Sequence, residues 1–206
     1  MADRPYLALI GITALVALAG DFFLVGVPVY VLDELHAPVW LPGAVLALLT
    51  ALAGVGGTAA VRVTRRWSRT ATLSLAAAGY VVWCVAGLAA VLVPQGWRPA
   101  YVLACTVVLA VAGLLFGARV NALAEAAAPE ESRGRYLAAF QYSFTLAGVA
   151  APAVVALFSV ASWLPWLLVA VCAGIAIPGL RWISGRLPAH AVAPPSQSPD
   201  RSARSR

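Results

Sequence analysis

Six runs of about 20 apolar residues, each long enough to cross a hydrocarbon core roughly 30 Å thick as a helix, fall at 6–30, 41–61, 70–93, 100–123, 137–160 and 164–183. Only short connections separate them. Charged residues make up 11% of the chain and hydrophobic ones 62%, against about a quarter charged in a soluble domain. The fold class expected is all-α: a polytopic membrane protein whose residues 1–188 form a six-helix transmembrane bundle. The segment 189–206, rich in Pro, Ser and Arg, has nothing to bury and reads as a disordered cytoplasmic tail. "MADRP" is too short for a signal-peptide charged region, and the run after it is too long for a signal-peptide core. The first run is therefore expected to stay as a helix.

The formal net charge is +6, and arginine alone supplies it, since no lysine occurs. A basic balance can indicate nucleic acid, but the placement here excludes that reading. Arg4, then Arg62, Arg65, Arg66 and Arg69, then Arg133 and Arg135, then Arg181 and Arg186 fall at alternate ends of successive runs. The opposite connections hold Asp33, Glu34 and His36, then Arg98, then no charge around Trp163. This positive-inside pattern puts both termini in the cytoplasm and the chain in the plasma membrane. Cys84, Cys105 and Cys172 lie inside apolar runs without metal or pairing spacing and read as core-filling thiols. No nucleophile motif, metal-ligand set or phosphate loop occurs, and neither His36 nor His190 has a companion ligand. The chain is read as neither an enzyme nor a cofactor binder.

Polar side chains inside the runs are few and unevenly spread. Asp21 sits in "ALAGDFFLVGVP", where ionisation costs about 2.5–3.5 kcal/mol on insertion scales, so the acid is expected to face water or the bundle interior. Because burial disfavours a charged carboxylate, Asp21 is a candidate for proton coupling or for recognising a cationic substrate. The alternative is a neutral acid bonded to backbone or hydroxyl. Arg119 and Asn121 lie in the fourth run and Gln141 opens the fifth, and with Asp21 they form the candidate substrate or proton pathway. Depth along the helices predicts that Asp21 and Arg119 miss each other. Arg119 is expected to snorkel to the cytoplasmic side or to pair with Glu125, Glu130 or Glu131. The third and sixth runs have no charged interior residue and read as lipid-facing. Trp40, Trp67, Trp97, Trp163, Trp166 and Trp182 lie near span ends and read as interfacial anchors.

Four stretches carry a resemblance: "DRPYLAL", "VGVPVYVLDELHAP", "GTAAVRVTRRWSR" and "APEESRGRYLAAFQ". In order and spacing they resemble the C-terminal six-helix half of a major facilitator superfamily transporter of the actinobacterial drug-efflux kind. The third stretch is similar to the family's Gly-x-x-x-Asp-Arg-x-Gly-Arg-Arg cytoplasmic loop, with Gly57, Arg62, Arg65 and Arg66 in register. Val61 and Thr64 replace the motif's acid and second Gly, and Ala147 and Ala151 replace both Gly of the antiporter motif Gly-x-x-x-Gly-Pro. The resemblance implies two inverted three-helix repeats in which spans one and four line a cavity while three and six pack outside. It implies a secondary transporter, or half of one, moving a small molecule, with Asp21 the candidate for proton coupling; antiport has no motif support. A half leaves its cavity wall open, so the expected partners are the lipid bilayer, a small-molecule substrate and a second six-helix bundle, either another copy or a separate N-terminal half. A non-transporting six-helix membrane protein or a truncated transporter fragment is the competing reading.

Overall fold

A computed structural model of the chain describes residues 4–64, 67–187 and 192. Among them there is no strand, and six helices are long and apolar enough to cross a membrane. They are α1 Arg4–Val29, α2 Leu41–Thr64, α3 Arg69–Ala89, α4 Arg98–Ala127, α5 Arg133–Ala156 and α6 Leu164–Ser184. The expected tail lies outside the described residues, Val192 apart.

Local chemistry sets the helix ends. Pro28 falls in the last turn of α1 and has no N–H to donate to the ladder, and the helix widens into a π-helix over Tyr30–Glu34. The chain then turns at His36, whose φ of 49° lies in the left-handed region. Ser68 caps α3, its hydroxyl accepting from the Ala71 N–H at 3.2 Å. Pro99 and Pro165 occupy first-turn positions of α4 and α6, where a missing N–H leaves no helical acceptor unfilled.

The main packing pairs are α1 with α5 and α6, α4 with α2 and α3, and α3 with α6. α1 touches α4 only lightly. These pairings place α2, α4, α1 and α5 side by side, with α3 and α6 behind them. Buried stripes follow. On α4, Val102, Cys105, Leu109, Ala112, Phe116, Arg119 and Leu123 recur at alternating steps of three and four. Small residues bring the helices close, since a Cβ added at Gly79 would lie 2.9 Å from that of Ala112.

Where α1, α3 and α6 converge, rings fill the core. Trp166 packs edge-on to Phe22 and Trp83, each at 5.1 Å between centroids, and Tyr30 donates to the Gly87 carbonyl at 2.9 Å. Any side chain at Gly87 would collide with the Trp166 ring. Trp166 is therefore no interfacial anchor: it is 2% exposed, whereas the other five tryptophans read as anchors are all exposed. Trp166 opens the inward stripe of α6 that continues through Val169, Ala173, Ala176 and Leu180, and that face outweighs its nearness to the span end.

Coverage differs sharply among helices. Of the most apolar window, 44% is buried in α1 and 39% in α3, but only 6% in α2 and 22% in α5. Having no interior charge did not make α3 and α6 the barest spans. Each keeps one face to the outside and packs its other face against its neighbours, while α2 rests on α4 alone among its main contacts.

Candidate functional site

Asp21 lies 17 residues into α1, about 26 Å along its axis at 1.5 Å per residue. It is half-buried on a stripe that runs past the exposed Leu7, Gly11, Val25 and Leu32. No hydrogen bond or ion pair reaches its carboxylate among the described residues. Its charge is within electrostatic reach of the Tyr80 hydroxyl on α3. Tyr80 is buried, and its oxygen lies 3.6 Å from where a Cβ on Gly113 of α4 would stand. Asp21 therefore sits where α1, α3 and α4 approach one another, beside a weak dipole and without a cation.

Arg119 behaves differently from expectation. It neither snorkels nor pairs with Glu125, Glu130 or Glu131: it is 4% exposed, and its Nη2 donates to Thr64 Oγ1 at the end of α2 at 2.7 Å. Helix α4 runs on to Ala127, eight residues past Arg119, so the guanidinium starts about 12 Å from the helix end. Its Nε is buried without a partner, and Arg69, of like sign, acts on it. Arg69 in turn feels Glu125, which pairs with Arg133 Nη1 at 3.6 Å. This network joins the arginine-bearing ends of α2, α3, α4 and α5.

Asn121 is two residues from Arg119, about 200° around the helix, and is exposed on the opposite face of α4. Gln141 is exposed on α5 with Tyr142 and Thr145. The proposed pathway residues thus divide. Asn121 and Gln141 occupy exposed faces of α4 and α5 and Asp21 a half-buried place on α1, whereas Arg119 belongs to the core. Asp21 and Arg119 form no bond, as their depths predict. Of the loop-motif residues, Gly57 is half-buried within α2 and Arg62 is exposed in its last turn, while Arg65 and Arg66 lie outside the described residues.

Arg98 carries a role that the reading of the sequence did not assign to it. At the opposite end of the bundle its Nη1 donates to the Leu35 carbonyl at 2.8 Å and its Nε to Val93 at 3.0 Å. One side chain holds the end of the first span to the connection between α3 and α4. The lone arginine in that connection was the available signal. No protein-family model, curated protein or solved structure matches this chain.

Proposed function

We propose that the protein is a secondary transporter of the major facilitator type, working as a six-helix half in the plasma membrane with both termini cytoplasmic. Asp21 carries the reading. An ionised carboxylate near mid-span with no cation beside it calls for water or a cationic substrate, and its half-buried place on α1 suits both. In this reading Asp21 takes up and releases the coupling proton or receives a small cationic molecule, and Asn121 and Gln141 supply hydrogen-bonding groups along the same wall.

The packing pairs support an inverted repeat. Exchanging α1 with α4, α2 with α5 and α3 with α6 turns four of the five main pairings into another member of the same set and leaves α3 with α6 unchanged. Helices one and four of an alternating bundle run in opposite directions, so such an exchange inverts the triplet in the membrane. The less covered side, with Asp21, Gln141 and Tyr142 on it, is one that acyl chains cannot hydrogen-bond. A second copy of the bundle covers it and encloses the substrate path.

The test is solvent access and transport together. With Cys84, Cys105 and Cys172 replaced by alanine, a cysteine substituted for Asp21 is expected to react with a membrane-impermeant thiol reagent in intact cells or inverted vesicles. Asp21→Asn is expected to abolish proton-coupled movement of a cationic dye into inverted vesicles. A cysteine at position 21 that stays unlabelled from both sides would overturn the cavity, and dye movement unchanged by Asp21→Asn would remove the acid from the mechanism.

A further inference from the structure

At the arginine-bearing end, α3 and α6 diverge and leave a groove of about 470 Å³ between them. Its lining is graded. On α3, Thr70 and Ser74, with Ala71 between them, come first, within about 8 Å of the helix start, and Leu75 and Ala78 follow at about 9–14 Å. On α6, Ser184 and Arg181 lie within about 5 Å of the helix end, and Ile177 lies about 10 Å in. Both walls therefore pass from polar to apolar in the same direction, from the membrane surface inward.

Arg181 is exposed, and its guanidinium has no hydrogen bond or ion pair among the described residues. No acid lines the groove, and the nearby Arg186 is held over the Trp182 ring at 3.8 Å. A groove open sideways between two membrane helices cannot stay empty, because the surrounding solvent is lipid. We propose that it binds one anionic phospholipid, with the phosphodiester on Arg181 and the Ser74 hydroxyl and an acyl chain along Leu75, Ala78 and Ile177. A cation at headgroup depth selects a net negative headgroup over a zwitterionic one, and the graded walls match a molecule polar at one end and apolar at the other. This site does not depend on the transport reading.

Native mass spectrometry of the full chain in detergent, with phosphatidylglycerol or phosphatidylcholine of identical acyl chains added, tests it. One guanidinium near a lipid phosphate favours the anionic lipid about fivefold, so wild type is expected to retain phosphatidylglycerol adducts about fivefold over phosphatidylcholine. Arg181→Gln, a surface change that leaves the core intact, is expected to remove that preference, while Arg135→Gln, at the same end but outside the groove, is expected to keep it. Equal losses in both variants would mean diffuse attraction to a basic end and would overturn the site. Inorganic phosphate displacing the adduct at millimolar concentration would overturn the lipid as occupant, since an acyl chain in the groove gives the lipid an advantage that the free ion lacks.

Discussion

Thr64 is the hydroxyl on which Arg119 depends, because the guanidinium is buried and Arg69, of like charge, repels it. Removing that acceptor leaves a charged donor unsatisfied, which costs about 1–3 kcal/mol. Thr64→Val is therefore expected to lower the thermal unfolding midpoint in detergent, and Thr64→Ser to leave it near wild type. The double variant Thr64→Val, Arg119→Met is expected to be more stable than Thr64→Val alone, because the second change removes the stranded charge. A double variant no better than the single one would show that Arg119 is satisfied elsewhere. Gly87 makes the opposite case: Gly87→Ala forces a methyl against the Trp166 ring, and such overpacking costs about 1–3 kcal/mol, read as a lower midpoint with the tryptophan emission shifted.

Arg98 acts at the scale of whole elements. It fastens the π-helical end of the first span to the segment after α3 through the Leu35 and Val93 carbonyls, a forked geometry that an ammonium cannot copy. Arg98→Lys is expected to keep the charge and still raise amide exchange at Leu35 and Ala37, whose N–H groups bond back to Tyr30 and Val31. Unchanged exchange at those amides would show that the π-helix holds itself. The existence of all six helices was legible from hydropathy, because span length and apolar content are properties of each segment alone. The ends were less so. Helix α4 continues through Ala124, Ala126 and Ala127 after its apolar run stops, since alanine favours helix whether or not it is buried. Arg119 and Trp166 were misplaced for a related reason: distance from a span end suggested the surface, whereas the three-and-four stripe on each helix points them inward. Asp21 was legible as unusual but not in its surroundings, because its neighbour Tyr80 comes from another helix.

At the scale of the whole molecule the decisive contrast is between apolar exposure, which a bilayer tolerates, and polar exposure, which it does not. Val55 on α2 is 82% exposed and Val149 on α5 is 74% exposed, and acyl chains alone would suit both. Gln141 and Tyr142 on α5 and the half-buried Asp21 on α1 are different, because their hydrogen-bonding groups need protein or water. On the half-transporter reading proposed above, a second copy against α2 and α5 would supply both, closing over an aqueous space and burying the valines. The purified protein is accordingly expected to give a native mass of twice 21.3 kDa. A bulky residue forced into a packed interface costs about 1–3 kcal/mol, which raises a dissociation constant about ten- to a hundredfold. Val55→Trp and Val149→Trp are expected to shift the protein to single copies. The same change at Val85 on α3 or Val171 on α6, which are also exposed but on the back layer, is expected to leave the assembly unchanged. Monomer at every concentration, or dissociation caused equally by front and back substitutions, would rule out a second copy on the α2 and α5 side.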